Sequence, residues 1–180
     1  MTGVQTCALP IFSTKLDLTP DRLAGLSRID EVVAVKEFSG DVRRVSAILD
    51  VAGDLEVMCG ADDVAFESAL MGATGWIGGF TGVFPRATAA LFIAGQAGDV
   101  AGARGLYRDL LPALGWDTTP RFVQAIKLAQ QLVGQPGGPT RSPRLPLDPV
   151  AEAEVRADMD RAVAAIAAWE TSRSASGGAG

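Results

Sequence analysis

The sequence contains no histidine. That removes the side chain that titrates nearest neutral pH, the commonest metal ligand and the usual Ser-His-Asp arrangement. Its two cysteines, Cys7 and Cys59, are too few for a disulfide framework or a zinc site. Tyrosine occurs once, at Tyr107, and lysine only at Lys15, Lys36 and Lys127. Any catalysis is left to these few groups, to carboxylates, to hydroxyls and to the backbone. No apolar run approaches the ~18 residues of a membrane-spanning helix. A net charge of −5, with a pI near 4.7, lacks the basic face that nucleic acid requires. What is present is apolar material: 48% of 180 residues are hydrophobic, enough for a globular core. The expectation is a cytoplasmic globular protein with no histidine-based metal site.

The opening "MTGVQTCALPIF" has no charge, no hydrophobic period and no basic n-region of a secretory signal. Residues 1–11, Met1 to Ile11, resemble the translation of a sequencing adapter with its GTG read as Met. They are expected to be an artefact, with the authentic chain entered at Phe12.

From there short apolar runs alternate with helical periods. "LTPDRLAGLSRI" offers Thr19 as N-cap, Pro20 at the first helical position and Leu23, Leu26 and Ile29 on one side. The β-branched run Val32, Val33, Ala34, Val35 suits a strand buried on both faces. "GDVRRVSAILDVAG" follows as a helix capped by Asp41, with Val42, Val45, Ile48, Leu49 and Ala52 at helical spacing. "LEVMCGADD" repeats the sequence of events, with Asp62 as cap, and "TGWIGGFTGVFP" is a third strand before a helix opened by Pro85. Strands separated by helices make right-handed crossovers and a parallel sheet, so the fold class is α/β. Residues 12–98 read as this α/β part, residues 99–170 as a helical extension, and residues 171–180 as a disordered tail.

Lys36 ends the Val-rich strand, and the C-terminal strand ends of a parallel sheet or barrel are where active sites are built. A desolvated amine there can attack a ketone to form a Schiff base. On spacing alone, a solvated charge is the commoner role for such a lysine. Glu37, by the strand period, points away from it. Glycines 75, 78, 79 and 82 do not match the dinucleotide fingerprint, and no ribose-binding acid follows them.

"VVAVKEFSGD", "CGADD", "GATGWIGGFTGVFP" and the late "RFVQAIKLA … RSPRLPL" together resemble the dihydrodipicolinate synthase / N-acetylneuraminate lyase family of class I aldolases and lyases. The resemblance spans Leu16 to Pro149. It implies the C-terminal part of a (β/α)8 TIM barrel, about strands six to eight, plus a C-terminal helical extension, from an enzyme that is usually a homo-tetramer. Lys36 matches the Schiff-base lysine of the family's G-x-K-[ED]-x-[ST]-G-D block, with Ala34 and Val35 standing for the more usual Gly and Ile. Gly60 matches the glycine after strand seven that lets the keto acid approach the backbone, and turn or cap duty is its bland alternative. Ile77 matches a strand-eight position whose main chain contacts substrate, and core packing is expected of it as well.

The family's proton-relaying tyrosine, in a Y-N-x-P-type block before Asp17, has "CALPI" in its place. Tyr107 lies in the helical extension as a packing residue. A chain with the nucleophile but not the relay is expected to be inactive by itself. Within the family, "VKEFSGDVRR", "FPRATAALF" and "FVQAIKLAQ" resemble the 1-pyrroline-4-hydroxy-2-carboxylate deaminase branch of hydroxyproline degradation more than the synthase. Ser13, Thr14 and Lys15 stand where synthases show R-T-G, and a serine cannot replace the bidentate fork that holds a second carboxylate. The first expectation is therefore a Schiff-base lyase of deaminase, dehydratase or aldolase type on a 2-keto acid or cyclic imine. The alternatives are 4-hydroxy-tetrahydrodipicolinate synthase, using pyruvate and aspartate semialdehyde, and a non-catalytic barrel scaffold.

Overall fold

A computed structural model describes residues 16–177. The leader, and the Ser13, Thr14 and Lys15 stretch on which the substrate expectation rests, lie outside the described residues. Helix α1 (Pro20–Leu26) leads to strand β1 (Ala34–Glu37), helix α2 (Arg43–Val51), strand β2 (Glu56–Cys59), a 3-10 turn at Asp62–Val64, helix α3 (Ala65–Leu70) and strand β3 (Gly75–Trp76). The sheet has the order β1-β2-β3 and is parallel throughout, as the alternation of strands and helices requires. Helix α4 (Pro85–Gln96) follows, then α5 (Val100–Leu114), α6 (Phe122–Leu132) and α7 (Pro149–Gly177).

Two compact units divide the chain. One runs to Gly78 and takes in Phe92–Asp99; the other comprises Gly79–Leu91 and the chain from Val100 onward. The exchange between the two units along the chain falls within α4, between Leu91 and Phe92.

In the sheet unit Leu23, Val35, Val45, Ile48, Leu55, Val57 and Phe92 form one buried cluster, with Trp76 packed against it. Burying each such side chain is worth ~1.5–3 kcal/mol, which is what holds α1 and α2 to the sheet. Several local expectations change in detail. Thr19 makes no side-chain cap; only its carbonyl enters the first turn, accepting from Leu23 N at 3.0 Å. Ile29 lies beyond the end of α1 and is exposed, and so is Val33, so the strand is not buried on both faces. The ladder begins only at Ala34, leaving Val33 ahead of the pleat that buries Val35. Asp41 caps one residue earlier than a helix N-cap would: its Oδ1 accepts from Arg43 N at 3.1 Å, ahead of Arg43–Val51.

In the helical unit α5 and α6 both pack on α7. Small residues make this possible: Ala125, Ala129, Ala151 and Ala162 are buried where helices meet, alongside Leu110, Leu114, Val155 and Met159. Tyr107 is buried in this core, in keeping with its expected packing role. Pro112 sits inside α5 and cannot donate to Arg108 O. That carbonyl instead accepts from Arg161 Nη2 at 3.3 Å, while Arg161 pairs with Asp109 at 2.8 Å, so one side chain offsets the lost bond and ties α7 to α5. Helix α7 continues past Glu170 to Gly177, into the segment read as a tail. Thr171 and Ser174 hydroxyls donate to the carbonyls four residues back, Ala167 and Glu170, which gives a Ser-rich stretch local partners within the helix.

Candidate active site

The block Ala34 to Asp41 carries its chain from strand to helix by a relay of short polar contacts. Glu37 Oε1 accepts from Ser39 N at 2.5 Å, Ser39 Oγ accepts from Asp41 N at 3.1 Å, and Gly40 turns at φ +80°, where a side chain would be strained. Glu37 also meets Arg44 Nε at 3.1 Å, and the same guanidinium reaches Asp17 at 3.1 Å and Leu18 O at 2.8 Å. Glu37 is thus committed to the α2 side of the strand, turned away from Lys36 as the strand period requires. In the sequence Arg44 is marked only as a cation seven residues after the strand acid, at the second position of α2. Beside it, the Arg43 guanidinium holds the Asp41 carboxyl below its ordinary range.

Lys36 stands level with Met58 in the ladder, and Glu37 with Cys59, which in turn pairs with Trp76. One step further along, Gly60 follows Cys59 and Ile77 follows Trp76, so Lys36, Gly60 and Ile77 gather at the C-terminal edge of three parallel strands. Gly60 is tightly enclosed. Its N–H donates to Glu37 O at 2.7 Å, and a Cβ there would lie 2.7 Å from Lys36 Cε, 2.8 Å from Phe38 Cδ2 and 2.9 Å from Glu37 O. The Glu37 carbonyl is backbone and cannot yield as the Lys36 side chain can, so a Cβ at position 60 would strain the chain at the strand end and push the lysine aside. The Lys36 amine lies 5.4 Å from the centre of the Phe38 ring, a geometry that attracts a cation.

Ile77 differs from expectation. Its side chain is 46% exposed rather than packed in the core, because β3 ends at Trp76 and the chain turns outward. Its N–H is held by Cys59 O at 2.9 Å, so the carbonyl is the backbone group it has left to offer.

Asp62 ties the turn after β2 to β3. It is fully buried, and its Oδ1 accepts from Trp76 Nε1 at 2.7 Å. Gly78 packs directly on that pair, Gly75 on Met58 Sδ and Gly79 on Ile126, so the glycines of "GWIGG" are packing positions, not a phosphate cradle. Burial pushes the Cys59 thiol up to about 11, which disfavours the thiolate, and its Sγ donates to Ala61 O at 3.2 Å.

The sequence model of the dihydrodipicolinate synthetase family matches residues 10–162. A 4-hydroxy-tetrahydrodipicolinate synthase from Methanothrix thermoacetophila is 34% identical over 148 residues, covering 79% of this chain and 49% of that protein. The solved 4-hydroxy-tetrahydrodipicolinate synthase of Methylacidiphilum fumariolicum superposes with a TM-score of 0.82 at 24% identity, over 93% of this chain and 56% of the other. The chloride-inhibited dihydrodipicolinate synthase of Acinetobacter baumannii, solved with pyruvate, gives 0.76 at 26% identity, over 87% and 54%. The chain spans about half the length of the curated relatives it matches. Its fold is accordingly part of a TIM barrel with a helical extension, and the chain belongs to the dihydrodipicolinate synthetase family.

Proposed function

We propose that Lys36 is the Schiff-base nucleophile of a lyase acting on a 2-keto acid, in the longer protein that such a half-barrel completes. The observation that carries this reading is the crossing of Lys36 over Gly60, which sets a primary amine at the C-terminal edge of the sheet with its path cleared of any Cβ. The neutral amine adds to the ketone carbon; the carbinolamine takes up a proton and loses water, leaving an iminium that withdraws electrons from the adjacent carbon. The Phe38 face is a fitting neighbour for that cation. Gly60 and the Ile77 carbonyl line the approach of the keto acid. Among the described residues, no helix is long and apolar enough to cross a membrane. A cytoplasmic, tetrameric enzyme without a cofactor is the setting we assign to this activity.

As to the substrate, the name borne by the curated relatives favours 4-hydroxy-tetrahydrodipicolinate synthase, condensing pyruvate with aspartate semialdehyde. That reverses the order expected from sequence. The second reading, a deaminase or dehydratase on a hydroxyproline-derived cyclic imine, rests on Ser13 standing where the synthases carry an arginine. Steady-state assay of the full-length protein with both substrate sets decides between them. Efficient condensation supports the synthase; turnover of the cyclic imine alone supports the deaminase; no turnover of either, with the protein folded, removes both.

A further inference from the structure

The helical unit carries a cavity of about 370 Å³ between α6, the proline-rich segment after it and the start of α7. That volume lies within the ~300–1,000 Å³ usual for small-molecule sites. Three cations line it from three separate segments: Lys127 on α6, Arg144 in the proline-rich segment and Arg156 on α7. In a chain with a net charge of −5, such a convergence is against the average.

The bonding of the three leaves them available. Lys127 donates one bond, at 2.5 Å to Gly137 O, and an ammonium has two more to give. The only described side-chain partner of Arg144 is the Phe122 ring, 5.6 Å from the guanidinium carbon, which orients the fork and satisfies none of its N–H donors. Arg156 is paired with Glu152, the one acid lining the cavity, at 2.7 Å; both are about 45% exposed, and an exposed pair of this kind is worth little and exchanges readily. With Glu152 counted, the cavity holds two positive charges in excess.

We infer that this cavity on the helical extension binds a small organic dianion of the dicarboxylate class, held between Arg144 and Lys127 with Arg156 released from Glu152. A dicarboxylate suits the site better than a compact anion, because the cations come from different segments around a volume several times that of one anionic group. Arginine forks recognise carboxylates bidentately, which gives the site its geometry.

Isothermal titration of the full-length protein with succinate and malate, with inorganic phosphate as the comparison, tests this. The expected result is dicarboxylate binding that weakens at least tenfold in Arg144→Gln and in Arg156→Gln, weakens with added salt, and is unchanged in Arg104→Gln, an exposed arginine that does not line the cavity. Circular dichroism establishes that each variant is folded. Phosphate binding as tightly as the dicarboxylates would overturn the assigned class. Absence of binding at millimolar concentrations, or binding indifferent to Arg144→Gln and Arg156→Gln, would overturn the site.

Discussion

A Cβ placed on Gly60 in the sheet unit would meet Lys36, Phe38 and the Glu37 carbonyl, all within 3 Å, whereas one placed on Gly105 in the helical unit meets nothing within 4 Å. The same residue type therefore does opposite things in the two regions. At the sheet edge, glycine is what the packing of a reactive side chain demands. On the exposed face of α5 it only adds freedom to the unfolded chain. Charge is used differently as well. Glu37 and Arg44 are mostly buried and tied to several partners, while the pairs of the helical unit, such as Arg156 with Glu152, stand in solvent.

This contrast can be broken at graded cost. The largest effect is expected for Lys36→Ala in the full-length enzyme, where turnover should fall to background, on the order of 10³-fold or more, with the fold retained. Kinetics and circular dichroism on the same preparation check it. Gly60→Ala should come next: overpacking costs about 1–3 kcal/mol, and displacement of Lys36 should lower kcat more than it raises KM. Denaturant melts and kinetics separate the two parts. Arg44→Met should destabilise by about 1–3 kcal/mol, toward the lower end because Ser39 still donates to Glu37. Gly105→Ala sharpens the comparison from the other side. It should stabilise by about 0.5–1 kcal/mol, since alanine fits an exposed helix interior and restricts the unfolded chain. A loss of stability there would mean that this surface of α5 is covered.

Much of this contrast is legible in the sequence. The alternation of β-branched runs with helical periods leads to the parallel sheet, because each strand and its following helix carry their own periodicity. Lys36, Gly60 and Ile77 sit at strand ends, and so they gather once the strands pair in parallel. The local misreadings share a physical cause. Asp62 looks like a cap because an acid before a helix usually is one, but its bond from the half-buried indole of Trp76, fourteen residues later, is invisible in the local pattern. Ile77 and Val33 look like core residues because hydrophobicity alone does not reveal where a ladder starts and stops. Arg44 escapes notice since its three partners, Asp17, Leu18 and Glu37, converge only in three dimensions. The cavity beside Arg144 is equally invisible in one dimension, as its cations are spread over thirty positions of chain.

The most direct measurement is to reduce the full-length protein with borohydride in the presence of pyruvate and map the modified peptide by mass spectrometry. A stable adduct is expected on the peptide containing Lys36, lost in Lys36→Ala and diminished in Gly60→Ala. An adduct on Lys127 instead, or trapping that survives Lys36→Ala, would contradict it.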